Sequence, residues 1–167
     1  MTENGFTLTM VTNTNMNFMW GICMKQTRYT PNPNKPFGFH DCHINGMDVD
    51  GENLKLSFKD SFYTIGGPDV RGNVVIEAIE PECCEVIIQG RGGKKGGFRG
   101  EKLAIQEFIE KYKGFSFEVI DEYYDCHRLQ LVGWLWMPDT YPKDMTLSLR
   151  YFKGDVIYNT EEVSEER

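Results

Sequence analysis

The chain has 167 residues and a formal net charge of −7, with 40 % hydrophobic and 26 % charged residues. This length is sufficient for one domain with a hydrophobic core, and the composition lies far from that of disordered chains. The acidic balance argues against a surface built to bind nucleic acid. We therefore expect a single β-rich domain over residues 1–160, followed by an acidic flexible tail at 161–167.

The cysteines and the N-terminus indicate the cellular compartment. The chain has five cysteines, at positions 23, 42, 83, 84 and 126. An odd number that includes an adjacent pair does not favour a disulfide framework. A basic segment followed by an apolar one, typical of a secretory signal, is not evident at the N-terminus, and no apolar stretch has the length of a membrane span. We expect a cytoplasmic protein with free thiols and no membrane contact.

Alternation of apolar and polar residues, the period of a half-buried β-strand, dominates the chain. Aromatic residues, which favour strands, make up 13 % of the sequence. The pair Asp50-Gly51 is typical of a hairpin turn, and three prolines make residues 27–38 an irregular connection. The predicted strands are 6–11, 16–24, 40–49, 54–58, 62–65, 74–79, 86–88, 115–120, 129–136, 145–151 and 156–158. The fold class is α+β, mainly β, with an antiparallel sheet or open barrel of about nine to eleven strands.

Residues 101–113 are predicted to form the one amphipathic helix. Its apolar residues recur at the i, i+3, i+4, i+7 spacing of a single helix face. They are Ile105, Phe108, Ile109 and Tyr112. Glu107 and Lys111 have the spacing of a favourable ion pair, and Gly114 suits the end of a helix.

The tripeptide Asp-Cys-His occurs twice, at 41–43 and at 125–127, and each copy precedes a hairpin-like segment. Residues 39–65 and 123–158 could therefore be a duplicated hairpin unit. Tetrahedral zinc is bound by thiolate and imidazole ligands, and the candidate ligands here are Cys42, His43, Cys126 and His127. Because neighbouring residues of a regular strand face opposite sides, both members of a pair could bind one ion only at a bulge. We favour buried cysteines and hydrogen-bonded histidines, and expect no cofactor.

Residues 90–100 form a segment rich in glycine and in cations. Its six glycines would let backbone N–H groups approach an anion, and the segment would precede the helix. The candidate anion-binding residues are Arg91, Lys94, Lys95 and Arg99. The Walker pattern is absent, because Gly96 rather than a hydroxyl residue follows Lys95. We favour an exposed linker over a phosphate site.

Trp134, Trp136 and Tyr141 are candidates for an aromatic contact surface. The two tryptophans are two residues apart, so they share one face of a strand. With Tyr123 and Tyr124 they could bind a partner or a second copy of the chain, or they could line the core.

Residues 39–44 (FHDCHI), followed by the Asp-Gly turn and a strand ending at Phe58, resemble the central hairpin of small bacterial β-rich proteins. Some of these are immunity proteins that neutralise a toxin of a sibling cell. The resemblance covers residues 39–65, implies a protein partner and carries over no catalytic residue.

The function that we predict is a non-enzymatic protein-binding module, because no complete catalytic signature is present. Its acidic surface would suit a basic partner such as a nuclease toxin. One alternative is a zinc protein that uses the two Asp-Cys-His segments. The other is a phosphate- or nucleotide-binding protein that uses residues 90–100.

Overall fold

A computed structural model describes residues 24–30, 35–90, 99–151 and 154–162. These residues form twelve strands, one helix and a short 3-10 turn at Pro81–Cys83. In chain order the strands are β1 (Lys25–Tyr29), β2 (Phe37–Gly38), β3 (His43–Asp50), β4 (Asn53–Phe58), β5 (Phe62–Thr64), β6 (Asp69–Ile76), β7 (Glu85–Gln89), β8 (Gly100–Ala104), β9 (Ser116–Tyr124), β10 (Arg128–Trp136), β11 (Lys143–Arg150) and β12 (Val156–Glu162). The helix α1 is Ile105–Lys111. The predicted class, α+β and mainly β with one helix, is confirmed.

All twelve strands belong to one antiparallel sheet with the order β1-β12-β6-β4-β3-β9-β10-β11-β7-β8, and β5 and β2 extend from β6. Within the described ranges β1 and β8 are the ends of this path, and the sheet does not close on itself. The halves of the sheet meet at β3 and β9, which share only the pairs His43–Glu118 and Ile44–Phe117.

One face of the sheet is buried and carries the hydrophobic core. Along β10 the buried residues alternate with half-buried or exposed ones, as a two-residue period requires. Helix α1 packs against β7 and β8 at one end of the sheet and also against β3 near its middle. Phe108 of the helix is fully buried, and its ring lies 5.0 Å from the ring of Phe115. Burial of one such ring stabilises the fold by about 1.5–3 kcal/mol.

The bounds of the helix differ from the predicted 101–113. Residues 101–104 belong to β8, which pairs with β7, so this strand pairing satisfies their backbone groups. The predicted apolar stripe is confirmed, since Ile105, Phe108 and Tyr112 are buried. The pair between Glu107 and Lys111 is not formed. Glu107 instead accepts a hydrogen bond from the Ala104 N–H at 3.0 Å, and Lys111 forms an ion pair with Glu101 of β8.

Several other boundaries also differ from the predicted ones. Strand β2 and residues 27–29 of β1 lie in the region predicted to be irregular, and β12 continues to Glu162, into the segment predicted to be a tail. The hairpin of β3 and β4 is confirmed, with Asp50 paired to Asn53 and Gly51 at a φ of +59°. The predicted strand 6–11, all of 16–24 except Met24, and residues 163–167 lie outside the described residues. No helix in the part of the chain that the structure describes has the length and apolar character to cross a membrane.

Candidate functional site

The first Asp-Cys-His segment runs beside β9. Cys42 is buried, as predicted, and its thiol donates a hydrogen bond to the carbonyl of His40 at 3.6 Å. Burial, followed by the nearby carboxylates, raises the pKa of Cys42 to about 12. His43 points to the other side, where its Nδ1 forms a hydrogen bond with the hydroxyl of Ser116 at 2.9 Å. The carbonyl of Cys42 accepts a hydrogen bond from the N–H of Val119 in β9, which fixes the position of the segment along that strand.

The second segment lies at the far end of β9, in the turn that leads to β10. Cys126 and His127 are both exposed there, so the prediction of a buried Cys126 is wrong. The residues form a turn rather than a strand, because the Asp125 carboxylate accepts the His127 N–H at 2.7 Å. From Val119 to Tyr124, the strand rises about 17 Å.

The four candidate zinc ligands are therefore not brought together. Cys42 and His43 lie near the middle of β9, whereas Cys126 and His127 follow its end. Among the described residues no group of three or more histidine, cysteine, aspartate or glutamate side chains has the arrangement of a metal site.

Of the candidate anion-binding residues, Arg91, Lys94 and Lys95 lie outside the described residues, and Arg99 is exposed immediately before β8. The Gly90 N–H donates to the Arg99 carbonyl at 2.7 Å, so the segment connects the two strands of a hairpin. The prediction placed a helix N-terminus after this segment. That placement is wrong, because β8 follows instead and α1 begins only at Ile105.

The two tryptophans of β10 lie on the outer face of the sheet, opposite to the core. Trp134 and Trp136 remain 42 % and 38 % exposed, while Leu135 between them is buried, which confirms their shared face. Tyr141, in the connection from β10 to β11, is 85 % exposed. The indole N–H of Trp136 donates to a Glu118 carboxylate oxygen at 2.7 Å, so this side chain of β9 is tied to the exposed indole.

Cross-strand register places acidic residues on both sides of Trp134. It pairs with Glu118 of β9 and with Asp144 of β11. Paired residues project from the same face, so both carboxylates flank the indole. We call this surface the Trp face, and it consists of Glu118, Asp121, Tyr123, Val132, Trp134, Trp136 and Asp144. In the described part of the chain no lysine or arginine lies within salt-bridge distance of its three carboxylates.

A β-bulge in β9 determines which of its residues face outward. Val119 pairs with Gly133 and Asp121 pairs with Val132, so Ile120 is an extra residue without a partner in β10. The alternation therefore changes phase at Ile120. A side chain at Gly133 has no space, since a Cβ atom there would lie 1.9 Å from the backbone oxygen of Glu118.

Beyond the bulge, Glu122 faces inward, and its side chain is only 6 % exposed. It accepts hydrogen bonds from the Phe39 N–H at 2.9 Å and the Tyr124 hydroxyl at 2.8 Å, and it forms an ion pair with Lys35. The carboxylate thus anchors the chain that leads into β3. Tyr124 turns inward as well, so of the two predicted alternatives, a contact surface or the core, it takes the core.

Sequence reasoning did not identify Glu118, Asp144 or Glu122. Continued alternation from Val119 would bring Asp121 inward and leave Glu122 outside, which is the reverse of the observed arrangement. The available signal was Gly133, because a glycine inside an apolar strand often marks a bulge.

Comparisons with family models, with curated proteins and with solved structures found no match to this chain. The resemblance of residues 39–65 to toxin-immunity proteins therefore stays a prediction. In the structure these residues form β3, β4, β5 and the chain around them, and β3 is the strand that pairs with β9.

Proposed function

We propose that the protein is a non-enzymatic binding module that holds a basic protein partner on the Trp face. The observation that carries this proposal is the pair of exposed indoles, Trp134 and Trp136, on the outer face of a regular ladder. Tryptophan is enriched at the energetic centres of protein interfaces, and exposed apolar patches often mark such interfaces. A ladder of three paired strands presents these rings with little loss of conformational entropy on binding.

The charge of the Trp face supports a partner rich in lysine and arginine. Glu118, Asp121 and Asp144 lie on the same face as the indoles, and no salt bridge joins them to a lysine or arginine of the described residues. Complementary charge accelerates association and disfavours acidic partners. The resemblance of residues 39–65 implies a toxin as the partner, and a nuclease toxin would have this basic character because it binds phosphate.

We assign this interaction to a reducing cytoplasm. The four cysteines in the described ranges are free thiols, and two of them, Cys83 and Cys126, are exposed. Exposed thiols that stay unpaired fit a compartment in which glutathione keeps them reduced.

The zinc and phosphate alternatives have less support. About 17 Å of β9 separates the two Asp-Cys-His segments, and a zinc ion requires ligands at about 2.0–2.3 Å. The Gly-rich segment leads into β8 and not directly into a helix, so no helix N-terminus follows it to stabilise a phosphate.

The proposal can be tested by photo-crosslinking in cells of the source organism. A benzophenone amino acid replaces Val132 in the Trp face, and a control variant carries it at Lys55, which is exposed on β4 in the other half of the sheet. We expect a basic protein to crosslink from position 132 and not from position 55. That protein is then purified, and its binding to wild type, Trp134→Ala and Trp136→Ala is measured by calorimetry.

Loss of a central tryptophan costs about 2 kcal/mol or more, so at least one of these alanine variants should bind about 30-fold more weakly. Association should also slow as the salt concentration rises. Crosslinks that are the same from both positions, or alanine variants that both bind like wild type, would refute the proposal.

A further inference from the structure

We propose that Glu118, Trp134 and Asp144 form a receptor for one arginine side chain of the partner. This inference rests on the proposed function and specifies which group of the partner the Trp face recognises. The three residues lie in one cross-strand row, with Trp134 in the middle. We call this row the arginine clamp.

The geometry of the row suits one planar cation. Directly opposite residues of an antiparallel pair have Cα atoms about 4.5–5.5 Å apart. The Cα atoms of both acidic residues therefore lie about this distance from the Cα atom of Trp134. Trp134 keeps 42 % of its surface exposed, and Asp144 is exposed beside it. Glu118 is held in place by the indole N–H of Trp136, which occupies its Oε2 atom. Among the described residues its Oε1 atom has no hydrogen-bond donor, so it can accept a hydrogen bond from a ligand, and His43 of β3 pairs with Glu118 on the side away from Trp134.

The chemistry selects arginine over other side chains. A guanidinium group stacks on an indole face and donates two parallel hydrogen bonds to a carboxylate at the same time. A lysine ammonium group is a strongly hydrated point charge that cannot make the bidentate contact. An acidic side chain would be repelled by Glu118 and Asp144, and an apolar one would leave both carboxylates desolvated without compensation.

The clamp can be tested without the partner. The probe is the capped tripeptide acetyl-Gly-Arg-Gly-amide, and its control replaces arginine with citrulline, which has nearly the same shape but no charge. Binding is followed by NMR through the indole N–H signal of Trp134, which is assigned by its loss in Trp134→Phe. We expect a saturable shift with the arginine peptide in the millimolar range, and none with the citrulline peptide.

A pair of variants separates the clamp from general charge. Glu118→Gln combined with Asp144→Asn removes the two clamp carboxylates and should weaken peptide binding at least tenfold. Asp48→Asn combined with Asp50→Asn removes the same charge from exposed positions on β3, and binding should stay within twofold of wild type. Heteronuclear spectra check that both variants keep the signals of the buried core residues and therefore remain folded.

Three results would overturn the clamp: no shift with the arginine peptide, equal shifts with the citrulline peptide, or equal weakening in both pairs of variants. Each of these results would leave the proposed function intact if position 132 still crosslinks the basic partner and at least one tryptophan variant still binds that partner more weakly than wild type. Conversely, normal partner binding by Trp134→Ala and Trp136→Ala would refute the proposed function whatever the peptide does.

Discussion

The bulge at Gly133 yields the sharpest prediction about the stability of the fold. In Gly133→Ala the new Cβ atom would lie 1.9 Å from the Glu118 oxygen, about 1.4 Å less than an ordinary carbon–oxygen contact. The atoms in the way are backbone, so a rotamer change cannot relieve the clash. A shift of β9 by this amount would break the two hydrogen bonds that join Val119 to residues 41 and 42, now 2.8 and 2.9 Å long. We expect a loss of about 3 kcal/mol from these bonds and the disturbed packing.

The free energy of unfolding is measured by urea titration, with tryptophan fluorescence as the signal. Gly46→Ala is the matched control, because Gly46 also lies at a register shift in a strand, but its nearest neighbour is the Ser57 side chain at 3.2 Å. We expect this control to lose at most about 1 kcal/mol. If Gly133→Ala were as stable as Gly46→Ala, the backbones of β9 and β10 would not approach each other at the bulge as closely as described.

Three further predictions concern the interior. Glu122→Ala should lose about 3 kcal/mol in urea titration, because it leaves three donors without their acceptor, whereas Glu122→Gln should lose about 1 kcal/mol. Burial raises the pKa of both Tyr124 and Tyr158 above the ordinary 10.0. Their neutral forms stabilise the fold fully below pH 10, so the free energy of unfolding should fall only above that pH, together with phenolate absorbance. At pH 8, iodoacetamide should modify Cys126 but not Cys42, whose pKa is about 12, as read by peptide mass spectrometry.

Each of these three predictions has an outcome that would contradict it. Phenolate absorbance that reaches its full value before the fold is lost would show that the two hydroxyls are not buried. Alkylation of Cys42 at the rate of Cys126 would contradict the position of Cys42 in the core. A Glu122→Ala variant as stable as Glu122→Gln would mean that Lys35 and Phe39 do not depend on that carboxylate.

Alternation predicted the strands that are buried on one side only. Residues 54–58 and 129–136 carry the two-residue period clearly, and they match β4 and β10 within one residue at each end. The aromatic pair Trp134 and Trp136 followed the same rule, since two residues of one parity must share a face.

The same reasoning was wrong where pairing with a neighbouring strand overrides the conformation that the local sequence favours. Residues 101–104 continue the helical pattern of α1, yet they form β8 because β7 offers them a complete set of backbone partners. Nothing in the local sequence marks β12 as the strand between β1 and β6, since that pairing joins residues 80 or more positions apart. Strand order and site geometry are therefore properties of long-range contacts, which periodicity does not encode.

In strand β9 one extra residue, Ile120, places one glutamate on the proposed binding surface and another in the core. Glu118 and Glu122 are four residues apart, so regular alternation would place both on the same face. The bulge at Ile120 reverses the phase, and Glu118 faces outward beside Trp134 while Glu122 faces the core. Glu118→Gln should therefore change partner binding while the free energy of unfolding stays within about 0.5 kcal/mol of wild type. Glu122→Gln should reduce stability and leave the affinity of the folded protein unchanged. If both substitutions acted on the same property, the two carboxylates would share a face and the bulge would not have the role derived from it.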